Sequence, residues 1–272
     1  VAAGAIWLSS LGGIIGGAER YRDRHHALQI WWAGLLLDGS MRIFSMRVEV
    51  EGQRLARPGG YLVFVRHSST ADTVLASVVL ARPAALRLRY VIKRELLWDP
   101  CLDVVGRRLP NAFIDRSSPQ PGAEVAAITD LARNLDDRSA VLIYPEGTRF
   151  TPAKRARAVE RLERAGADKA ELAAIARGFR TVLPPRLGGV LALIDAAPAS
   201  DIVLLEHTGF EGAESFRDLW RGGLIGRTIR VRLRRFSAQS VPAQRRPLWL
   251  FERWAEMDDW ICGNLEAEGR RA

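Results

Sequence analysis

The chain has 272 residues, which is long enough to bury a large core within one domain. An apolar fraction of 48% excludes an intrinsically disordered protein. The formal net charge of +9 favours anionic partners, such as lipid headgroups, nucleic acid or an acidic carrier protein. Because the chain has only two cysteines and four histidines, we expect a reducing compartment and no structural zinc site.

The N-terminal part combines apolar and basic residues. Residues 1–18 carry no charge, and the chain starts with Val rather than Met. We expect residues 1–40 to be the truncated anchor of a membrane-associated helical segment, because a complete span needs about 20 predominantly apolar residues. The run Ala27–Leu37 carries Trp31 and Trp32 and follows a basic cluster, which is typical of a helix in the lipid headgroup region. A helix buried in the core is an equally good interpretation of this run.

Residues 41–272 alternate between two patterns, and we expect them to form one domain. Short apolar runs rich in β-branched and aromatic residues predict strands, whereas apolar residues at helical spacing predict helices. The predicted strands are Tyr61–Val65, Leu88–Ile92, Ala112–Ile114, Ala140–Tyr144, Ile202–Leu205 and Thr228–Leu233. The predicted helices are Thr73–Leu80, Val125–Leu135, Ala153–Arg177 and Leu248–Leu265. This alternation indicates an α/β fold with a mixed central sheet flanked by helices.

A histidine and an aspartate follow the first predicted strand. Tyr61–Val65 runs directly into Arg66 and His67, and Asp72 comes five residues after His67. Because open α/β sheets bind ligands at the carboxyl ends of their strands, this position places His67 at the ligand-binding edge. Asp72 is close enough in sequence to fold back and fix the tautomer of the imidazole. The alternative is a polar helix cap beside a histidine that only packs.

A second polar segment follows the predicted strand Ala140–Tyr144. It consists of Glu146, Gly147, Thr148 and Arg149. The glycine allows the backbone to approach a ligand closely, and the guanidinium can bind a phosphate through two hydrogen bonds. The alternative is a tight turn between a strand and a helix, held by a local Glu–Arg pair.

Two further cations lie at predicted strand ends. Lys93 follows Leu88–Ile92, and Arg116 follows Ala112–Ile114. Each residue by itself is equally well explained as a solvated surface charge. Together with Arg149 they place three cations at strand ends of one sheet, which favours convergence on a single anion.

These segments resemble, in order and spacing, the sequence blocks of the glycerolipid acyltransferase family. The stretch from Tyr144 to Gly189 is similar to the branch that contains the lysophosphatidic acid and lysocardiolipin acyltransferases. The resemblance covers roughly residues 45–260. The matching blocks are His67–Asp72 (HxxxxD), Phe113–Arg116 (second block), Glu146–Arg149 (EGTR) and Val182–Arg186 (fourth block).

Two positions depart from the usual pattern of that family. The residue before the motif histidine is often Asn in the family and is Arg66 here. The fourth block contains two consecutive prolines, Pro184 and Pro185, where a single proline is usual. Neither position touches the expected base, and we expect both to bear on the choice of acceptor.

The resemblance implies transfer of a fatty acyl group from a thioester to the free hydroxyl of lysophosphatidic acid or a related lysophospholipid. The product with lysophosphatidic acid is phosphatidic acid. His67 is then the base that takes the hydroxyl proton, and Asp72 orients it and balances the charge. Ser68 and Ser69 invite an acyl-serine route, but the sequence has no GxSxG elbow, so direct transfer is favoured.

The resemblance also implies which residues hold the acceptor. Lys93, Arg116 and Arg149 would bind the acceptor phosphate. Glu146 would order the arginines or contact the glycerol hydroxyl. His25, His26 and His207 have no acidic partner at a useful spacing, and we expect surface or core roles for them. The expected substrate-binding residues are Lys93, Arg116, Glu146, Gly147, Thr148 and Arg149.

No metal and no tightly bound cofactor are implied, and acyl-CoA or an acyl carrier protein delivers the acyl group. The implied partners are an anionic membrane surface, the lysophospholipid acceptor and the acyl donor, on the cytoplasmic face of the inner membrane. Nucleic acid is not expected, because the basic residues lack an interleaved aromatic pattern. Two alternatives stay open. One is the same chemistry on a larger-headgroup lysophospholipid, glycerol-3-phosphate or a lyso-aminolipid, and the other is a basic peripheral membrane protein without catalysis.

Overall fold

A mixed sheet forms the centre of the protein. The structure, a computed structural model, describes residues 2–69, 71–98, 106–115, 121–211, 213, 218 and 221–270, and within these ranges seven strands form one sheet. Their order in the sheet is β1-β7-β6-β2-β5-β3-β4. The strands are β1 (Arg47–Glu51), β2 (Tyr61–Val65), β3 (Arg87–Lys93), β4 (Ala112–Ile114), β5 (Ser139–Ile143), β6 (Asp201–Thr208) and β7 (Thr228–Phe236).

The direction of the strands decides where a site can form. Strands β6, β2, β5, β3 and β4 run parallel, whereas β7 and β1 run the opposite way. Every residue of β2 and β5 is buried, because both faces of these central strands are covered, and their sequences are accordingly apolar throughout. The parallel direction brings the carboxyl ends of β2, β5 and β3 to one edge of the sheet.

Helices cover both faces of the sheet. One face packs against α2 to α6 through a core that includes Ile128, Leu193 and Trp254. The other face packs against α1 and the helical segment 71–84, which follows His67 directly. The longer helices are α1 (Ala2–Ile43), α2 (Pro121–Ala132), α3 (Pro152–Glu163), α4 (Ala170–Arg177), α5 (Leu187–Ala196) and α6 (Arg246–Gly269).

Helix α1 packs on the domain with one side of its second half. Its backbone leaves helical geometry at Gly17, where φ is 72°, and the helix ends at Ile43. Ala33 and Leu37 are buried, whereas Trp31 on the other side is 44% exposed. Within the described residues, no helix combines the length and the apolar character needed to cross a membrane. The boundary predicted between residues 40 and 41 stays a prediction.

The predicted α/β fold with a mixed central sheet flanked by helices is confirmed, and each predicted strand is present. The single helix predicted for Ala153–Arg177 is wrong. Helix α3 ends at Glu163 and α4 begins at Ala170, because Gly166 has a φ of 93°, which no α-helix accommodates. Strand β1, whose sequence alternates charged and apolar residues, and helix α5 were not predicted.

Gly52 is a position where the fold requires glycine. Its φ is 78°, and a Cβ there would lie 2.5 Å from the carbonyl oxygen of Leu233. An L-residue is strained at this φ, and a backbone oxygen moves aside only at a high energetic cost. We expect Gly52→Ala to lower the free energy of unfolding by about 2 kcal/mol or more, measured by urea denaturation.

Gly188→Ala is the matched control for this substitution. A Cβ at Gly188 would meet no atom within 4 Å, and the residue lies in α5, where alanine favours the helix by about 1 kcal/mol over glycine. We expect this variant to be at least as stable as the parent chain. An equal loss of stability in the two variants would contradict the role given to Gly52.

Candidate active site

His67 and Asp72 form a hydrogen-bonded pair at the carboxyl end of β2. The Nδ1 atom of His67 lies 3.1 Å from Oδ1 and 3.3 Å from Oδ2 of Asp72. Asp72 is fully buried, whereas the His67 side chain is 20% exposed. Because an ionised carboxylate only accepts hydrogen bonds, Nδ1 donates its proton and Nε2 carries the free lone pair. His67 therefore has the tautomer that a base acting through Nε2 requires.

The turn after His67 is folded around the carboxylate of Asp72. Oδ2 accepts hydrogen bonds from the backbone N–H groups of Ser68 at 2.8 Å and Ser69 at 2.9 Å. The ring of Tyr144 packs against His67 with 4.6 Å between the ring centroids. The spacing of five residues lets the carboxylate fold back and satisfy these donors, which gives the HxxxxD pattern a structural reason.

Glu146 joins the turn after β5 to two other segments of the chain. Its Oε1 accepts a hydrogen bond from the N–H of His67, and its Oε2 accepts one from the N–H of Leu183, both at 2.9 Å. Glu146 is 2% exposed, and burial raises the pKa of its carboxyl to about 8 against the opposing effect of these two amides. This geometry makes Glu146 a positioning residue, and the substrate contact expected of it stays a prediction.

The turn that follows Glu146 lies on the backbone of His67. Gly147 has a φ of 74°, and its N–H donates to the carbonyl oxygen of Tyr144 at 2.9 Å. The N–H of Phe150 donates to the carbonyl oxygen of His67 at 3.0 Å. These contacts bring the backbone of Arg149, the residue before Phe150, next to the His67–Asp72 pair.

Lys154 adds a further cation beside this turn. Its Nζ donates to Oγ1 of Thr148 at 3.1 Å and to the carbonyl oxygen of Arg149 at 3.0 Å. Thr151 caps the first turn of α3 by accepting a hydrogen bond from the Lys154 N–H at 3.3 Å. Lys154 was predicted only as part of the helix Ala153–Arg177, and its place beside the site was not predicted from the sequence.

Asp258 on α6 holds the segment that carries Leu183. Its Oδ1 accepts hydrogen bonds from the N–H and the hydroxyl of Thr181, both at 2.6 Å, and its Oδ2 accepts one from the N–H of Arg180 at 2.8 Å. This role of Asp258 was not predicted from the sequence either. The available signal was a carboxylate on the apolar stripe of α6, one turn after the buried Trp254.

Arg66 and His207 are both buried next to the pair. The Arg66 guanidinium donates to the carbonyl oxygen of His207 at 2.7 Å, to Glu211 Oε1 at 2.7 Å and to the carbonyl oxygen of Thr181 at 3.2 Å. Arg66 is 1% exposed, so it bears on an acceptor only through its neighbours. The expectation that His207 has no acidic partner is wrong, because β6 brings its Nε2 to 3.6 Å from Oδ2 of Asp72.

Residues 47–197, more than half of the chain, match the sequence profile of the Acyltransferase family. The chain belongs to the Acyltransferase family. The match includes the HxxxxD and EGTR turns and the segment 182–186, which the contacts of Glu146 bring together. The resemblance to the glycerolipid acyltransferases is thereby confirmed.

Two curated relatives of this acyltransferase-family chain are lysocardiolipin acyltransferases. Lysocardiolipin acyltransferase 1 of Danio rerio is 24% identical over 261 residues, covering 93% of this chain and 65% of the relative. Lysocardiolipin acyltransferase 1 of Mus musculus is 22% identical over 258 residues, covering 91% of this chain and 65% of the relative. The chain thus spans 65% of the length of the curated relatives it matches.

A solved acyltransferase has the same fold. The crystal structure of the 1-acyl-sn-glycerophosphate acyltransferase of Thermotoga maritima matches with a TM-score of 0.60 at 13% identity. The match covers 93% of this chain and 86% of that chain. At this level of identity the likeness concerns the fold, which agrees with the sheet and helices described above.

Two of the three cations expected to bind phosphate at this acyltransferase-family site lie among the described residues. Lys93 is exposed at the end of β3, two strands and therefore about 10 Å from β2 along the carboxyl edge. Arg149 is half-buried in the turn beside His67, and Arg116 lies outside the described residues. Their contacts with a phosphate stay predictions. Within the described ranges, no three His, Cys, Asp or Glu side chains cluster as candidate metal ligands.

Replacing Glu146 by Gln tests its role in holding the site. A glutamine offers one acceptor oxygen, and its NH2 group would face the second backbone donor, so either the His67 or the Leu183 hydrogen bond is lost. We expect Glu146→Gln to lower the free energy of unfolding at pH 7 by about 2 kcal/mol, measured by urea denaturation. Glu160→Gln is the matched control, because Glu160 lies on the surface of α3 and contacts the exposed Arg164.

The stability difference between the parent chain and Glu146→Gln should also depend on pH. The native Glu146 carboxyl keeps its proton up to about pH 8, whereas an unfolded one releases it near 4.5. The unfolded chain therefore loses a proton first, and this group's stabilising contribution falls as pH rises from 4.5 to 8. We expect the stability difference between the parent chain and Glu146→Gln to shrink between pH 6 and pH 8. A difference that grows over this range would contradict the assignment.

Proposed function

We propose that this chain is a membrane-surface O-acyltransferase that moves a fatty acyl group from a thioester to the hydroxyl of lysophosphatidic acid or a related lysophospholipid. The observation that carries the proposal is the His67–Asp72 pair, which presents the free Nε2 of a partly exposed imidazole at the edge of the sheet. Membership of the Acyltransferase family and the similarity to lysocardiolipin acyltransferases support the reaction type and the lipid class of the acceptor.

The reaction follows from the tautomer of His67. The acceptor hydroxyl gives its proton to Nε2 as its oxygen attacks the thioester carbonyl carbon, and Asp72 stabilises the imidazolium that forms. The tetrahedral oxyanion then collapses, the carbon–sulfur bond breaks, and the leaving thiolate takes the proton from His67. Such base catalysis accounts for about a hundred- to ten-thousand-fold of the acceleration. Positioning of the two substrates and hydrogen bonds to the oxyanion supply the remainder.

Direct transfer is supported over an acyl-serine intermediate. The hydroxyl of Ser69 is buried and donates to the carbonyl oxygen of Ala213 at 2.5 Å, while it accepts a hydrogen bond from the N–H of Ala71 at 3.1 Å. Ser68 is also buried, on the same turn as the imidazole that would have to deprotonate it. The acceptor alcohol is therefore the nucleophile in the proposed reaction.

In the proposed complex, cations hold the phosphate of the acceptor. Lys93, Arg116 and Arg149 were assigned to this task from the sequence, and Lys154 joins them because its ammonium contacts the backbone of Arg149. Gly147 and Thr148 shape the turn between these cations and His67. The acyl donor is acyl-CoA or an acyl carrier protein, whose acidic character suits the net positive charge of the chain.

The proposed membrane contact is the exposed side of α1. Trp31, Trp32, Leu35 and Leu36 are 37% to 51% exposed there, a combination that suits the lipid headgroup region. The opposite side of α1 packs on the helical segment 71–84, whose second residue is Asp72. Helix α1 therefore joins the proposed membrane contact to the segment that carries Asp72. We place the enzyme on the cytoplasmic face of the inner membrane.

His67→Ala tests the enzymatic reaction. We expect this variant to lose turnover of acyl-CoA with lysophosphatidic acid or lysocardiolipin by at least about a hundred-fold, because it removes the base. Thiol release in the presence of each acceptor measures turnover. Binding to phosphatidylglycerol vesicles should be unchanged, since His67 is not on the proposed membrane contact. An active His67→Ala variant, or a folded parent chain inactive on every lysophospholipid, would instead favour a non-catalytic lipid-binding protein.

Trp32→Ser tests the membrane contact. Trp32 is 37% exposed on α1, and Val125 is 38% exposed on α2, which lies on the opposite face of the sheet. We expect Trp32→Ser to weaken binding to phosphatidylglycerol vesicles by about ten-fold, because it removes an aromatic anchor. Val125→Ser, the control with matched exposure, should bind as the parent chain does. Vesicle sedimentation measures both, and equal weakening would locate the contact elsewhere.

A further inference from the structure

The peptide between Arg66 and His67 is held from both ends by buried side chains. Its N–H, which belongs to His67, donates to Oε1 of Glu146 at 2.9 Å. Its carbonyl oxygen, which belongs to Arg66, lies 3.1 Å from Nε2 of His207. Arg66 in turn donates from its guanidinium to the carbonyl oxygen of His207 at 2.7 Å. The orientation of this peptide sets the direction in which the His67 side chain leaves the backbone.

His207 also faces the carboxylate of the pair. Its Nε2 is 3.6 Å from Oδ2 of Asp72, which is longer than a hydrogen bond but close enough for an N–H dipole to act on the charge. Both groups that face Nε2, the Arg66 carbonyl and the Asp72 carboxylate, are acceptors, so Nε2 carries the proton of the neutral ring. Burial lowers the pKa of His207 to about 4, and the ring therefore stays neutral at neutral pH.

Arg66 and His207 hold each other in place, because the side chain of each contacts the backbone carbonyl oxygen of the other. Arg66 stands where the family often has Asn, and its charge is balanced by Glu211 at 2.7 Å. Phe210 packs edge-on against the His207 ring with 5.6 Å between the centroids. The titratable and charged groups around His207 and Asp72 are His67, Arg66, Tyr144, Glu146 and Glu211.

We propose that His207 is a positioning residue for the His67–Asp72 pair. Its Nε2–H holds the peptide that precedes His67 and offsets part of the Asp72 charge. This role rests on the proposed function of the pair, but it makes a separate statement about the geometry and titration of His67. His207 is fully buried, so it acts through Arg66 and Asp72 without touching substrate.

Three substitutions separate the N–H donor from the packing of the ring. His207→Gln keeps an N–H donor near the position of Nε2, His207→Asn places its amide near the position of Nδ1, and His207→Leu has no donor. We expect the Gln variant to keep kcat within about three-fold of the parent chain. The Asn and Leu variants should lose about ten- to a hundred-fold in kcat, with the KM for acyl-CoA nearly unchanged, because His67 is misplaced rather than removed.

An NMR titration of the His67 ring tests the same role without turnover. The signal is assigned by its absence in His67→Ala. In the Asn and Leu variants we expect the titration midpoint of His67 to rise by about half a pH unit, because the Asp72 charge then acts on the imidazolium without the opposing dipole. The Gln variant should titrate as the parent chain does.

Val203→Ala is the control for lost packing. Val203 is buried on the same face of β6 as His207 but lies four residues earlier, so its truncation should lower stability without moving the His67 midpoint. If His207→Leu fails to fold, the comparison of Gln with Asn decides. Equal kcat and equal midpoints in these two variants would overturn the proposal. A midpoint that responds as expected in a chain without turnover on any lysophospholipid would support the positioning role and overturn the proposed function.

Discussion

The buried charge of Asp72 is the constraint on which the rest of the site depends. A carboxylate without solvent access is stable only where hydrogen-bond donors converge on it, since an unpaired buried charge costs several kcal/mol. Two backbone N–H groups, from Ser68 and Ser69, and Nδ1 of His67 meet this requirement. The conformation of the turn that supplies these donors leaves Nε2 of His67 free. The tautomer of the base is therefore a consequence of how the carboxylate is satisfied.

Carboxyl groups bonded to backbone amides also connect the segments around this turn. Glu146 links the N–H of His67 to that of Leu183, and Asp258 holds Thr181 two residues earlier. These segments are far apart in sequence, and two of them, the turns after β2 and β5, begin at the carboxyl edge of the sheet. A hydrogen bond from a backbone amide to a carboxyl group fixes the direction of the peptide as well as its distance, which suits loops that must present a side chain in one orientation.

The arginines of β7 add less positive charge to the protein surface than their number indicates. Strand β7 alternates apolar and basic residues, yet Arg232 and Arg234 both pair with the buried Glu206, and Arg230 pairs with Glu49 and Glu268. Much of the positive charge of this strand is therefore neutralised within the protein. The exposed basic residues in the middle of α1, Arg20, Arg22 and Arg24, are a better candidate for attraction to anionic lipid.

The amino-acid sequence by itself determined the class of fold, the central strands and the motif residues. The reason is that these features are local, since continuous apolar runs specify buried parallel strands and HxxxxD is a turn whose partners lie within five residues. Helix ends that depend on one backbone angle, such as the break at Gly166, were not predicted. Only the tertiary structure decided that His207 and Asp258 support the site, because sheet order and helix packing bring them there from more than 130 residues beyond His67. The same packing made α1 part of the core and part of the surface, because one of its sides is buried against the helical segment 71–84 while the other side remains exposed.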